Sequence, residues 1–312
     1  MSDSLFLRGF LKELESEGEP GSFAYDHSVF VWMSAAEAAK AEAALLEAAR
    51  SGDPKALETI GNLELRSALP LLESIAADPS PGSARAAARR SRLRLHPSAE
   101  TTAAVADDLR WADSFDRLLA ANLLAGRAEP GADEALLSAL QAEDGLLRDI
   151  VWGGLLQRTG LAAPEPGADF GPLAALYLRL ISSLKSTWQP AAQRAGRLFR
   201  RILAGEPAAT VFPAYQSADP ALRDRALASL NTKGADPIDL SLVQGLSGQD
   251  REWFEANLLC RIGDQDLRAI DAAAALRIKG VQGPLREALA AWGGSNPVIL
   301  VAIRSALLFL NA

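Results

Sequence analysis

Between Ser217 and Gly263 the chain repeats one punctuation: an Asp-Pro pair, a run with apolar residues at helical spacing, and a glycine. Asp219-Pro220 opens a segment in which Leu222, Ala226, Leu227 and Leu230 fall on one helical face. Gly234 stops it, and Asp236-Pro237 starts a second helix through Leu240 and Val243 to Leu246. A third, Asp250 to Ile262, carries Phe254, Leu258 and Leu259 before Gly263. Aspartate satisfies orphan N–H groups at a helix start, proline fits the first turn, and glycine takes the exit. Such a hairpin cannot bury its stripe alone. The pattern therefore predicts an all-α chain in which successive hairpins stack, a right-handed α-solenoid of about six to eight units.

Extending this grammar outward divides the chain into 1–52, N-terminal helices with an aromatic cap segment, and 53–312, a repeat array with a bend expected near 161–170, where Pro164 and Pro166 interrupt it. The first helix, Ser4 to Glu17, buries Leu7, Phe10, Leu11 and Leu14 and ends at Gly18-Glu19-Pro20-Gly21. Ser22 to Met33 fits no repeat, yet holds Phe23, Tyr25, His27, Phe30 and Trp32 in a chain only 6% aromatic. It reads as an extended lid over the first hairpin, or as an arm presenting Phe23, Tyr25 and Trp32 to a partner. Ser34 and Glu37 form a capping box, and Ser98 to Thr101 caps a later helix.

The segment 83–95 turns Ala84, Ala87, Ala88, Ser91 and Leu95 inward, with Arg85, Arg89, Arg90, Arg92 and Arg94 mostly outward. A second arginine group, Arg194, Arg197, Arg200 and Arg201, lies on a helix expected over 190–204. Trp152 beside Gly153-Gly154 predicts close helix approach. The last helix, 296–310, carries Val298, Ile299, Val301, Ala302, Leu307, Leu308, Phe309 and Leu310, more apolar than one stripe requires. It is expected to be wrapped by the penultimate hairpin, or else covered by a second copy of the chain, self-association through the C-terminal helix.

Three segments carry a family likeness: 68–78 (ALPLLESIAAD), 133–144 (DEALLSALQAED) and 211–219 (VFPAYQSAD). Ala121-Asn122-Leu123-Leu124 recurs as Ala256-Asn257-Leu258-Leu259. From Asp53 onward the chain resembles the HEAT-like (armadillo-type) helical repeats, including their short bacterial variety. That resemblance implies a concave face lined by second helices, and it transfers no catalytic residue. Some HEAT-like relatives are DNA-base glycosylases and others are phycobilin (chromophore) lyases, but no residue here matches their chemistry.

Charge and composition narrow the function. A net charge of −7 and a pI of about 5.1 argue against general binding to a nucleic-acid backbone. The lone Cys260 leaves no disulfide framework and suits a reducing cytoplasm. The first residues lack a signal-peptide pattern, and 298–310, interrupted by Arg304, is too short to span a bilayer, so no membrane segment is expected. His27 and His96 stand far apart without metal-ligand spacing, and no glycine-rich phosphate loop occurs. Neither a metal, a cofactor nor a catalytic set is expected. The function that remains is a non-catalytic scaffold or adaptor binding another protein, with an inhibitor or immunity protein that neutralises a toxin as alternative. The candidate contacts are Arg89, Arg92, Trp152, Arg194, Arg197, Arg201 and Trp253, with Phe23, Tyr25 and Trp32 at the end.

Overall fold

The computed structural model describes residues 3–16, 23–80, 82–129, 131–162, 171–215, 217–232, 236–246, 248–278, 280–292 and 296–311, and among these every regular element is a helix. The expected stops at 18–21, Gly234 and Gly293-Gly294, and most of the bend near 161–170, lie outside them. Contacts divide the chain into two compact units, Met1–Leu136 and Leu137–Ala312.

The first unit holds α1 (Leu5–Glu15), α2 (Ala35–Arg50), α3 (Pro54–Asn62), α4 (Leu69–Ala76), α5 (Ser83–Leu95), α6 (Ala99–Trp111) and α7 (Ser114–Ala125). α8 (Ala132–Ala139) straddles the division. Polar caps set the starts. Asp53 and Asp113 accept from backbone N–H groups of α3 and α7, and Ser34 with Glu37 and Ser98 with Thr101 close capping boxes. Each hairpin, α2/α3, α4/α5 and α6/α7, packs internally, while α3, α5 and α7 form a row of direct neighbours. A Cβ on Gly61 of α3 would lie 2.5 Å from Ser91 Oγ and 3.0 Å from Ser91 Cα on α5, so this crossing admits only glycine. The serine hydroxyl also donates to the Leu57 carbonyl at 2.7 Å.

Two expectations fail in this unit. Residues 27–32 form a 3-10 helix rather than an extended lid, because Asp26 accepts from the Ser28 N–H at 3.0 Å and winds the chain locally. That turn packs on α1, where Phe10 meets the Tyr25 and Phe30 rings edge-on at 6.3 and 5.1 Å. Arg90, expected outward, is 1% exposed.

The second unit continues with α9 (Gly145–Thr159), α10 (Pro172–Leu180), α11 (Lys185–Leu203), α12 (Ala208–Val211), α13 (Pro220–Asn231), α14 (Leu240–Gly245), α15 (Gly248–Gly263), α16 (Leu267–Ala275), α17 (Gln282–Trp292) and α18 (Pro297–Asn311). α9, α10 and α11 are mutual neighbours, but α10 then packs on α15 and α11 on α17. The order of stacking therefore skips α12 to α14. The stretch that reads in sequence as consecutive repeats is partly an excursion, whose Ala226, Leu230 and Val243 still enter the shared core. α14 starts at Leu240, not at Asp236, because Asp239 supplies the cap to Ser241.

α11 begins five residues before Pro190, where the proline alone suggested a start. The cause is distant in sequence. Glu287 on α17 accepts from the Lys185 and Ser186 N–H groups at 2.6 and 2.8 Å and from the Ser186 hydroxyl at 2.8 Å, capping α11 from outside. Gly153 is exposed, with nothing near its virtual Cβ, so it makes no close crossing. α18 packs on α16 and α17 through Ile299, Ile303 and Ala306, but Val298, Val301, Leu308 and Phe309 stay exposed, so the penultimate hairpin does not wrap it.

Candidate binding site

Three helix ends of the first unit meet around a cavity of about 260 Å³. α5 contributes Gly82, Ser83, Arg85 and Ala86 from its start, α6 contributes Asp108, Trp111 and Ala112 from its end, and Asp113 and Asp116 come from the cap and first turn of α7. The packing of α5 against both members of the α6/α7 hairpin brings these residues together. Local geometry requires Asp113 at the cap, where its Oδ1 accepts from the Asp116 N–H at 2.8 Å and its Oδ2 from the Ser83 hydroxyl at 3.2 Å.

Behind the cavity lies a buried charge network. Arg90 donates from Nε to Glu58 Oε1 at 2.5 Å and from Nη2 to Asp116 Oδ1 at 2.8 Å, joining α3, α5 and α7. Arg94 reaches the other Glu58 oxygen at 2.6 Å. Arg89 donates to Asp108 Oδ1 at 2.6 Å, yet Asp108 Oδ2 meets no hydrogen-bond partner among the described residues. Asp108 is 2% exposed, and its burial pushes its carboxyl above the ordinary aspartate range against the pull of Arg89. Arg85, the cation in the lining, donates to the Pro79 carbonyl at 3.1 Å. The rim is aromatic: Trp111 is 72% exposed, and just past the turn Phe115 packs on Phe23, centroids 4.8 Å apart.

Most arginines singled out from sequence hold partners within the chain. Arg89 pairs as above, Arg92 lies 3.4 Å from Glu100, Arg194 2.8 Å from Glu252, and Arg201 binds Glu206. Arg197 is exposed. Tyr25, Trp152 and Trp253 belong to the core, which leaves them no surface to present: Tyr25 donates to Asp53 at 2.5 Å, and Trp152 stacks on Tyr177. Phe23 and Trp32 are exposed, Trp32 stacking on Phe6. Of the candidates, then, only Arg89 and Phe23 come near the cavity, each through one contact with a residue of α6 or α7.

Sequence reasoning passed over the cavity itself. The signal was present in Asp107-Asp108-Leu109-Arg110-Trp111-Ala112-Asp113, which concentrates three carboxylates and an exposed-type aromatic at one helix end. It also passed over Arg148, whose guanidinium is fully buried in the second unit. Its donors reach the carbonyls of Leu180, Ala142, Glu143 and Ser182 at 2.8 to 3.0 Å, and it lies 4.1 Å over Trp188. Those bonds close helix ends and mark a structural role. Half-buried Cys260 has its thiol pushed up to about 11, chiefly by burial. Among the described residues no group of His, Cys, Asp and Glu is arranged to hold a metal ion, and no helix is long and apolar enough to cross a membrane.

Comparison of the chain with protein-family models, with curated proteins and with solved structures found no match.

Proposed function

We propose that this chain is a non-catalytic binding scaffold, a HEAT-like α-solenoid whose surface engages another protein. The observation that carries this reading is the acidic cavity with its exposed aromatic rim, Trp111, Phe115 and Phe23 beside Asp108 and Asp113. Exposed aromatics of this kind anchor protein interfaces, because they bury large area at low entropic cost. The row α3, α5, α7, with each helix paired to its hairpin partner, supports the repeat reading. The skip from α10 to α15 fits an array with α12 to α14 inserted.

A second reading, an inhibitor or immunity protein that neutralises a toxin, draws on the charge. An acidic chain whose cavity lining holds three carboxylates against one arginine suits a basic partner, steered by complementary fields. In either reading the encounter takes place in the cytoplasm, where the lone Cys260 stays reduced. The pairing of Arg89, Arg92, Arg194 and Arg201 with carboxylates of the chain argues against nucleic acid as partner.

Affinity capture from the native host at low and high salt, followed by mass spectrometry, tests the proposal. A reproducible protein partner, retained less as salt rises, supports it. Co-purified nucleic acid or pigment, with no protein, overturns it in favour of a base glycosylase or a chromophore lyase.

A further inference from the structure

We infer that the cavity between α5, α6 and α7 receives the guanidinium of an arginine side chain presented by the partner protein. The inference rests on the scaffold reading and names the chemistry of its contact.

The cavity is built of acceptors that lack donors. Asp108 is 2% exposed, its Oδ1 is taken by Arg89, and its Oδ2 meets nothing. A buried carboxylate oxygen in that state is costly until a donor reaches it. Asp113 is exposed at the rim and meets only neutral donors, the Ser83 hydroxyl and the Asp116 N–H, which leaves both its oxygens with spare lone pairs. Asp116 completes the wall, its Oδ1 occupied by Arg90 from behind. Arg85 is held by the Pro79 carbonyl, while Arg89 and Arg90 are committed to Asp108 and to Glu58 and Asp116. An anion entering here would face three carboxylates.

Shape selects among cations. At about 260 Å³ the cavity falls below the ~300–1,000 Å³ of sites for drug-sized ligands, so a single side chain fits it better than a cofactor. A deep acceptor, Asp108, and a rim acceptor, Asp113, call for several donors in a fixed fork. A guanidinium has five N–H groups in one plane and an ammonium only three on a point charge. The exposed Trp111 indole supplies a face on which that plane stacks. The neighbouring Phe115–Phe23 pair gives the partner's surrounding residues an apolar surface that excludes water from the contact.

The test is a ¹H–¹⁵N NMR titration of the intact chain with N-acetyl-arginine amide, N-acetyl-lysine amide and N-acetyl-norleucine amide, up to ~50 mM each because single-residue affinities lie in the millimolar range. The arginine compound is expected to shift amides of residues 83–86 and 108–116, to bind more tightly than lysine, and norleucine to leave them unmoved. Trp111→Ala, which removes an exposed ring, and Asp113→Asn, which keeps a capping side chain, are each expected to weaken arginine binding at least about fivefold. Equal shifts from norleucine, no shift in these residues, or variants that bind like the wild type would overturn the inference. A captured partner whose affinity survives Trp111→Ala with Asp113→Asn sinks this site and leaves the scaffold reading standing. Arginine bound in the cavity of a chain that captures no protein separates the two the other way.

Discussion

Replacing Arg90 by methionine removes the one cation that ties α3, α5 and α7 together. Arg90, Glu58 and Asp116 have side chains 1%, 6% and 5% exposed, so none can turn to water. Removing one partner of a buried pair costs about 3–5 kcal/mol, because the charge left behind keeps its desolvation without its compensation. The two carboxylates are not stranded equally. Glu58 retains Arg94 at 2.6 Å, whereas Asp116 Oδ1 loses its only cation. The cost therefore falls toward the lower end, about 3 kcal/mol, a large share of the ~5–15 kcal/mol that holds an ordinary domain folded. Urea denaturation followed by circular dichroism, with native-state hydrogen exchange on α3, α5 and α7, separates this loss from events in the second unit. The triple variant Glu58→Met, Arg90→Met, Asp116→Leu is expected to recover to within ~1 kcal/mol of wild type, since an apolar set of similar volume removes every buried charge except Arg94, which reaches solvent. A loss below ~1 kcal/mol for Arg90→Met, or a triple variant as unstable as the single one, would refute the reasoning. The network would then matter for packing and not for charge.

Three further outcomes follow from single contacts. Gly61→Ala gains up to ~1 kcal/mol of helix propensity but drives a Cβ into Ser91, so a net loss of about 1–2 kcal/mol is expected, vanishing in a Ser91→Gly background; thermal melts of the four proteins check it. Glu37, accepting from the Ser34 N–H and hydroxyl and from the Ser4 N–H, has its carboxyl lowered to about 2. A depressed folded value means that its stabilisation is full above the unfolded value of 4.5 and fades as pH falls toward 2, so the stability gap between wild type and Glu37→Gln should close over that window in a pH series of urea melts. A gap constant from pH 6 to pH 2 would count against the cap. Cys260, with its thiol pushed up to about 11, should react with iodoacetamide at pH 8 far more slowly in the folded chain than in urea, as mass spectrometry would read.

Helix positions were legible in the sequence because their causes are local. Asp53, Ser34 with Glu37, Ser98 with Thr101 and Asp219 each bond a backbone group within three residues, and each marks a start that the structure keeps. Where the determinant lies far along the chain, reading failed. Glu287 caps α11 across 101 and 102 residues, which is why Pro190 misled as a start. Arg90 looks like any exposed member of an arginine-rich helix until Glu58 and Asp116 arrive on either side. The stacking of α10 on α15 is likewise invisible to periodicity, which records a buried face but not what buries it. The cavity fell between these cases. Its residues 107–113 were adjacent in sequence, but the unpartnered oxygen of Asp108 depends on which of its two faces Arg89 occupies.

Photo-crosslinking in the native host tests the central claim most directly. A benzophenone amino acid placed at Trp111 or Phe115, the exposed rim, should yield a discrete adduct with one basic protein, and the same label at exposed Arg197 or Leu308 in the second unit should not. Adducts only from Arg197 or Leu308, or adducts from the rim positions to nucleic acid alone, would contradict a protein-binding site at the end of α6.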